Sequence, residues 1–483
     1  MQTPDWAAWR LDNPRIVPDL VDADLHALDL RGIDLARAVL TRADLQGADL
    51  TGASLANAQL DGVLFGGAVL DGVDFSSVRL DLLELRSCSM KGAIMTGATF
   101  RGSDLSGADL SGAGLAEVNF DGAVLDNANL DGADLSGATL RGARFDGATL
   151  RRAKLGGAIL EGVSMQGNDL TGADLEGVYG IRLQLPQANL AGARLVRANL
   201  REANFLEANL KGADFEGADL NHATFRRANL EEARLVACDA QAADFRDAIL
   251  LNTEINGAQL AAAQMPGIDF RSPKLGRVSL VRANLEGATF FRCNLRGWRL
   301  EQARMDGADL REVNLEAANL EGARLVGAEV RGSRLRSAKL SGAVLADADL
   351  SGCDLILAEL RDADCTRTDL RFSRLVGSDC AGARFHWADL RHADFTRAVL
   401  TGANLWGAKI SRAKLPGSAW HWRILLALVS IFLYARRARE QRLSQEQQRR
   451  IRDTVRLVKE IEENDPRMRR IAASRPVRID SNR

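Results

Sequence analysis

The sequence predicts an all-β repeat solenoid, in which short strands and corners wind into stacked coils. Three observations lead to this prediction. Of the 80 positions from Leu20 to Leu415 whose numbers are multiples of five, Leu occupies 55 and Phe 13. Two residues before these positions, 53 of the 80 residues are Ala. No insertion or deletion shifts the frame, so one unit of five residues repeats along most of the chain.

A five-residue period fits neither the 3.6-residue period of a helix nor the two-residue period of a long strand. It fits a short strand followed by a corner. In the strand, the central Leu or Phe and the Ala two residues earlier point to the same side, so both are expected to face a narrow interior. The Asp or Asn between them faces outward. The next two residues, often Ser-Gly or Asp-Gly, turn the chain through backbone angles that Gly tolerates.

The motif A-(D/N)-L-x-x, seen in stretches such as ADLSG and ANLDG, resembles that of the pentapeptide-repeat family over residues 18–417. The resemblance implies a right-handed quadrilateral β-helix with four pentapeptides per coil and about 20 coils. At a sheet spacing of roughly 4.8 Å per coil, the rod is about 95 Å long. Phe205, Phe225 and Phe245 recur at intervals of twenty and are expected to stack, although Phe pairs ten residues apart are as common.

Residues 1–17 are expected to form an N-terminal cap, because an open coil exposes sheet edges that would pair with other chains. The sequence TPD at residues 3–5 is typical of the start of a helix. Trp6, Trp9 and Leu11 are then placed to cover the first coil.

Residues 176–187 keep the five-residue frame but lose the motif. Gly180 stands where a large apolar residue belongs, and Tyr179 replaces the outward Asp or Asn. One interpretation is a local dent or bulge in the coil. The other is a kink or docking notch formed by Tyr179, Gly180 and Pro186.

Two further departures from the repeat are expected to disturb the coil. The stretch 263–275 contains Pro266 and Pro273 and reads as irregular. Trp298 occupies an inward position that Ala usually fills. Because overpacking a tight core costs about 1–3 kcal/mol, Trp298 is expected to force a local rearrangement.

After Leu415 the repeat stops, and residues 418–439 contain an uncharged apolar core from Ile424 to Ala435. This core is shorter than the roughly 17–25 residues of a spanning helix, and the basic tail makes either orientation across a membrane awkward. The segment is therefore expected to lie on a membrane or to pack against protein, with a short transmembrane helix as the alternative. The residues expected to attach it to lipid or to a second copy are Trp420, Trp422, Arg423, Leu425, Leu426, Leu428, Ile431, Phe432, Tyr434, Arg436, Arg437 and Arg439.

Residues 440–483 are predicted to form a basic tail, partly helical and partly disordered. Ile451, Val455, Val458 and Ile461 form a short apolar stripe at helical spacing. The stripe fits a helix that pairs with itself in a homodimer or binds a partner, and the basic composition fits an anchor on anionic lipid.

Charge is distributed unevenly along the chain. Residues 1–140 carry a net charge of −12, residues 141–415 a net +3 and residues 416–483 a net +8. Some members of the family that the sequence resembles mimic B-DNA and bind type II topoisomerases, which requires a continuous acidic surface. In this sequence only the first coils offer a continuous acidic surface, because in later coils Arg residues stand beside the outward Asp residues. The basic tail lacks a recognised reader motif, so direct nucleic-acid binding is disfavoured.

The sequence predicts no catalytic, cofactor or metal site. The six cysteines stand at inward positions without CxxC or Cys/His spacing, which is typical of small core side chains. The five histidines are scattered, and there is no Walker loop or GxSxG motif. The outward Asp and Asn columns, which form ladders in the family, fit a solvated face rather than paired catalytic carboxylates.

The predicted function is therefore that of a non-catalytic scaffold. The rod docks an unidentified protein partner and is anchored or dimerised through its C-terminal apolar helix. The alternatives are a DNA-mimicking protein that binds a type II topoisomerase and an effector targeted to a membrane. The N-terminal sequence MQTPDWAAWR shows no basic n-region or apolar h-region. A cytoplasmic location is expected, at the cytoplasmic face of the inner membrane if the tail is an anchor.

Overall fold

A computed structural model describes residues 6–271 and 273–416. In that part of the chain the one helix is α1 (Trp6–Asp12). The remaining regular structure consists of isolated parallel β-bridges at every fifth residue, from Asp19 at the start to Lys414 at the end. Each bridge joins a residue to the residue twenty positions later. Four pentapeptides therefore complete one coil, as the family resemblance implies.

The hydrogen bonds of one pentapeptide show why five residues suffice for a strand and a corner. Leu230 donates its N–H to Ile249 O in the next coil at 2.9 Å, and Asn229 donates to Ala208 O in the previous coil at 2.9 Å. Ala233 donates to Leu230 O at 3.0 Å and closes the corner between them. Each coil is thereby bonded to both neighbours, which satisfies backbone groups that face the dry interior.

The second corner residue adopts the left-handed conformation in the described pentapeptides, with Arg277 as the exception. Gly47 has a φ of 66° there, as expected from the Gly-rich corners. Other residue types hold the same conformation, including Leu82 with a φ of 61° and Leu357 with a φ of 57°. Because a Cβ in this region costs roughly 1–2 kcal/mol, the ladders on either side must hold these corners in place.

Aromatic side chains in the core pack in the two ways that their sequence spacing predicts. Phe205 and Phe225 stack with ring centroids 4.9 Å apart, and so do Phe225 and Phe245. Phe215 meets Phe205 and Phe225 edge-on at 5.8 and 5.9 Å. Residues twenty apart thus stack in one column, while residues ten apart meet across the core.

Polar residues that replace the inward Ala find hydrogen-bond acceptors within the core. Ser333 donates its hydroxyl to Leu310 O at 2.6 Å, and Thr253 donates to Leu230 O at 2.8 Å. In both cases the acceptor is the carbonyl twenty-three positions earlier. A buried hydroxyl therefore costs little here, because its hydrogen bond is made.

The helix α1 packs on the first coil as the predicted cap. Trp6 donates its Nε1–H to Asp34 O at 2.8 Å, and Arg10 pairs with the Asp34 carboxylate at 2.9 Å. The Trp6 and Trp9 rings lie 5.2 Å apart. Leu11 was expected to join them, but it is 81% exposed. The reason is helical geometry: Trp6, Trp9 and Arg10 share one face, and Leu11 lies off it.

Candidate interaction surfaces

The outward Asp and Asn columns have a structural role at the corners. Asp309 Oδ1 accepts the N–H of Arg311 at 3.1 Å, and this N–H, on the first corner residue, takes no part in the ladder. Such turns are the physical reason why Asp and Asn precede corners. Side-chain amides also bond along a column, as from Asn209 Nδ2 to Asn189 Oδ1 at 2.9 Å. The predicted polar ladder is confirmed.

Arginine side chains neutralise one of these columns in the C-terminal half of the rod. Arg311 lies 2.7 Å from Asp309, and Arg391 lies 2.7 Å from Asp389. The hydrogen bond from each guanidinium holds the pKa of its Asp carboxyl below the usual range. These carboxylates are fixed surface charges, with a pKa far from that of a catalytic acid or base. Among the described residues, no group of three or more His, Cys, Asp or Glu side chains could hold a metal ion.

Gly180 faces the core, and Leu183 fills the volume that its missing side chain leaves. A Cβ at Gly180 would lie 3.1 Å from Leu200 Cδ2 and 3.2 Å from Leu183 Cδ2. Leu183 stands at a position that Ala usually occupies and is completely buried. Gly180 is smaller and Leu183 is larger than the residue that usually occupies each position. The two differences offset each other, so the cross-section of the coil is unchanged.

The ladder runs through residues 176–187 without interruption. Gly180 donates its N–H to Asn199 O at 2.8 Å, and a bridge joins Tyr179 to Asn199. Pro186 stands at the first corner position, where the ladder needs no N–H, so its ring removes no backbone bond. The backbone ladder is therefore not broken in this stretch, and the kink stays a prediction from the sequence. Tyr179 is 39% exposed, and a docking role for Tyr179, Gly180 and Pro186 stays a prediction.

One side of the rod is open between residues 247–252 and 266–271. Leu250 N–H and Asp269 N–H have no backbone partner among the described residues, whereas Leu230 N–H, one coil earlier, is paired. A cavity of about 360 Å³ lies in this opening. The irregularity expected over 263–275 is thus present, but it begins after the regular bond from Gln264 N–H to Ala243 O.

Ile268 explains the opening, because it stands at an inward position that Ala usually fills. It is buried, and added bulk without a compensating loss pushes neighbouring coils apart. A second case occurs at Leu83, which follows Val63 by one coil. Between these two coils of the described chain, no bridge joins Leu64 to Glu84.

Trp298 rearranges its surroundings, as the sequence predicts. Its indole N–H donates to Gly276 O at 2.6 Å, and its ring meets Phe290 edge-on at 6.5 Å. Gly257 N–H bonds to Arg277 O at 2.8 Å, one residue beyond the regular ladder partner. The indole N–H thus binds the carbonyl of Gly276, which would otherwise accept the ladder bond from Gly257. The carbonyl of Arg277 accepts that bond instead.

Three of the four exposed Phe, Trp and Tyr side chains in the described chain lie near its C-terminal end. Phe372, Trp387 and Trp406 are 62%, 42% and 39% exposed. Trp387 and Trp406 meet edge-on with centroids 4.9 Å apart, and His386 lies 6.1 Å from Trp406. Phe372 stacks on His392 at 4.7 Å. We call these five residues the aromatic corner surface.

The aromatic corner surface was missed by sequence reasoning, although a signal existed. All five residues occupy the two corner positions of a pentapeptide, where Gly and polar residues prevail elsewhere. Trp387 and His392 lie at the two corners that flank Asp389 within one coil. Large aromatic side chains at corner positions would have identified this side of the rod as unusual.

All six cysteines are free and buried. Cys88 donates to Phe65 O at 3.2 Å and Cys353 to Val330 O at 3.1 Å. Burial raises the pKa of Cys238 and of Cys353 to about 12. They are core thiols with little thiolate character at neutral pH, in agreement with the sequence prediction.

The predicted attachment segment lies outside the described residues. Between residues 6 and 416, with residue 272 set aside, no helix is long and apolar enough to pass through a membrane. The candidates that lie outside the described part are Trp420, Trp422, Arg423, Leu425, Leu426, Leu428, Ile431, Phe432, Tyr434, Arg436, Arg437 and Arg439.

Several solved structures are similar to this chain. HetL, a pentapeptide repeat protein involved in heterocyst differentiation regulation from the cyanobacterium Nostoc sp. strain PCC 7120, is 21% identical, with 72% of this chain and 90% of that chain covered and a TM-score of 0.14. A pentapeptide repeat protein from the Arabidopsis thaliana thylakoid lumen is 32% identical, with 21% and 66% covered and a TM-score of 0.17. A trypsin-treated form of QnrB1, a plasmid-mediated fluoroquinolone resistance protein, is 22% identical, with 38% and 91% covered and a TM-score of 0.23. No curated protein matches the chain.

The family model described as "Pentapeptide repeats (8 copies)" matches successive segments between residues 19 and 417. The stretches 180–183 and 266–273 fall between matches, and they contain Gly180 and Ile268, where the inward volumes depart from the repeat. The family's fold is the right-handed quadrilateral β-helix. With its twenty-residue register and a family match over most of its length, the chain belongs to the pentapeptide-repeat family.

Proposed function

We propose that this protein is a non-catalytic scaffold whose rod docks a protein partner. Pentapeptide-repeat proteins are generally non-enzymatic structural or interaction proteins. The observation that carries the proposal is the twenty-residue register, which aligns outward side chains in columns along the described coils. Such an extended, regular surface is what repeat proteins use for binding.

Crosslinking followed by affinity purification tests the docking role. The full chain is expected to retain one protein at near-equal amounts from its own cells. A variant carrying Tyr179→Ser, which removes an exposed aromatic side chain without touching the core, tests whether the 176–187 stretch contributes to docking. If the full chain retains no protein at a comparable amount, the scaffold proposal fails.

The second part of the proposal concerns residues 418–439, which attach the rod to the cytoplasmic face of a membrane or to a second copy. Support comes from the sequence, where an apolar core is flanked by Trp420, Trp422 and Tyr434 and followed by Arg residues. Interfacial aromatic residues and Lys/Arg beside an apolar stretch are typical of membrane attachment. The basic tail with its apolar stripe supports the dimer.

Liposome flotation separates these two attachments. The full chain is compared with a version ending at Leu415, and with a full-length variant carrying Leu428→Glu, in low and high salt. Flotation of the unmodified chain alone, resistant to salt, supports a membrane anchor. If no form floats, sedimentation equilibrium then decides whether the full chain is a dimer. A monomer that does not float rules out both attachments.

Binding of a type II topoisomerase by DNA mimicry is a second candidate. Its support is the net charge of −12 in residues 1–140, which gives the first coils an acidic surface. The Arg partners of Asp309 and Asp389 remove such a surface further along. A supercoiling assay with purified protein tests this candidate, and no effect at micromolar protein would remove it.

A further inference from the structure

The aromatic corner surface presents large apolar side chains to solvent at one end of the rod. Phe372, Trp387 and Trp406 all lie within the last coils, whereas Tyr179 is the one other exposed Phe, Trp or Tyr side chain in the described chain. The rings touch one another or a histidine rather than the core. Clustered exposed apolar side chains rimmed by polar residues mark a binding surface.

The position of the last described residues indicates what binds there. The chain leaves the final coil at Pro416, and the apolar residues begin again at Trp420, only four positions later. A tether this short gives the following segment an effective concentration on the order of millimolar or higher at nearby surfaces. A second copy or an unrelated partner at micromolar concentration competes poorly with it.

The end of the rod supplies a second reason. Ile410, Ala408 and Leu415 in the final coil are only partly buried, while the equivalent inward residues of central coils are almost completely buried. At the opposite end Leu20, Leu25 and Leu30 of the first coil are also only partly buried, and there Trp6 of α1 packs against the core. The final coil has no such cover among the described residues, and an exposed coil edge is unfavourable.

The chemistry of the surface matches that of the segment. Asp389, which lies between Trp387 and His392, is paired with Arg391 at 2.7 Å. The surface therefore offers aromatic area beside this ion pair and the exposed Lys409, which follows Asp389 in the same column. The segment from Ile424 to Ala435 is uncharged and apolar.

We propose that the aromatic corner surface binds the apolar segment 420–435 of its own chain. The segment then covers Phe372, Trp387 and Trp406 together with the edge of the final coil. This departs from the second part of the proposed function, because a segment bound to its own rod is not available to a membrane or to a second copy. Flotation or dimerisation through residues 418–439 would therefore overturn the inference and leave that part of the proposed function standing. The inference holds whether or not a protein partner docks elsewhere on the rod.

Hydroxyl-radical footprinting of the full chain tests the proposal. Tyr179 is the matched control, because its exposed fraction of 39% equals that of Trp406. In the full chain we expect Trp387 and Trp406 to be oxidised far more slowly than their exposure in the described coils implies, while Tyr179 is oxidised normally. About 90% occupancy lowers accessibility about tenfold.

The comparison variant is the full chain with Leu428→Glu and Phe432→Glu, which places two charges in the segment. We expect oxidation of Trp387 and Trp406 to rise about tenfold in this variant, with Tyr179 unchanged as evidence that the rod is folded. Equal oxidation of the two tryptophans in both proteins would overturn the proposal.

Two further outcomes would assign the surface to another occupant and so overturn the proposal. Protection that disappears on dilution from about 10 to about 0.1 µM identifies a second copy, because a tethered segment is insensitive to dilution. Protection that appears only with vesicles identifies a membrane.

Trypsin cleavage after Arg423 gives an independent readout. With Trp387→Ser and Trp406→Ser together, cleavage there is expected to accelerate about tenfold, and with Tyr179→Ser it is expected to stay the same. An unchanged cleavage rate in the double variant would count against docking even if footprinting shows protection.

Discussion

Leu183 occupies the space that Gly180 leaves in the core, and a Cβ at Gly180 would lie 3.2 Å from Leu183 Cδ2. In the regular repeat a large residue stands at the position of Gly180 and Ala at that of Leu183. The order of large and small is reversed here within one coil. The ladder is unbroken through this reversal, whereas it opens at Ile268, where no small residue offsets the added bulk.

This relationship predicts strong coupling between the two positions. Leu183→Ala is expected to lower the free energy of unfolding by about 2–5 kcal/mol, because it leaves a cavity. Gly180→Leu is expected to cost about 1–3 kcal/mol through overpacking. The double variant restores the usual order and should recover at least about 1 kcal/mol relative to the sum of the two losses. Urea unfolding followed by circular dichroism measures all three.

The control for this cycle is Gly180→Leu combined with Leu340→Ala, a buried leucine many coils away. Those two losses should add, because distant sites without shared contacts are independent. If the loss in the Gly180–Leu183 double variant also equals the sum, the two side chains do not compensate and the explanation is wrong.

The open side of the rod predicts a local difference in hydrogen exchange. The amide of Leu250 lacks a backbone partner among the described residues, while the amide of Leu230 donates to Ile249 O. The Leu250 amide should therefore exchange faster than that of Leu230, a matched leucine at the same place one coil earlier. In Ile268→Ala the coils can approach, and exchange at Leu250 should slow. Equal protection of Leu230 and Leu250 in the unmodified protein would show that the side is closed.

The Asp–Arg pairs predict that stability falls in acid. The pKa of Asp389 and that of Asp309 are lowered in the folded protein, mainly by hydrogen bonds from Arg391 and Arg311. A carboxyl with a lowered folded pKa adds stability above its unfolded pKa of about 4 and loses it as the pH falls through the folded pKa. Tm should thus be level from about pH 7 to 5 and decline below about pH 4.

Arg391→Gln identifies the contribution of one pair. It should lower stability only slightly at neutral pH, since the guanidinium of Arg391 is exposed to solvent. The difference from the unmodified protein should shrink below about pH 4, when Asp389 becomes protonated in both. A difference that stays constant across this range would mean that Arg391 acts through packing alone.

The burial of the cysteines predicts that their thiols do not react with thiol reagents in the folded protein. All six cysteines are buried, and burial raises the pKa of Cys380 to about 12. Ellman's reagent should therefore react with no thiol in the folded protein over minutes and with all six after unfolding in guanidinium. Fast reaction of any thiol in the folded state would show that one coil opens readily.

The strand-and-corner unit could be predicted from the sequence because its causes lie within five residues. Alternation places the large residue and the Ala on one side, and the Asx turn explains the outward Asp. The twenty-residue register was supplied by the family resemblance, since Phe spacings of ten and twenty are both present. Both packings occur, as at Phe215 and Phe225.

The departures from the repeat could be located in the sequence but not interpreted there. Whether Gly180 leaves a dent depends on Leu183, and whether Ile268 opens the wall depends on the volumes of its whole coil. Both outcomes depend on the total volume of the inward side chains in one cross-section of the rod, and a linear motif does not show that total. The aromatic corner surface escapes the motif for a simpler reason: the motif gives the corners only a turning role, which does not account for large side chains such as Phe372 and Trp387.

The constant twenty-residue register has a consequence for any partner of the rod. A binding site that reads only the repeated Asp and Asn columns meets nearly the same surface again after each shift of roughly 4.8 Å. Such a partner has many equivalent binding positions along the rod and can slide from one to the next. A partner that must stop at one place has to bind a feature that occurs once in the described rod, such as Tyr179 or the aromatic corner surface. The irregular residues, few as they are, carry nearly all of the positional information along the rod.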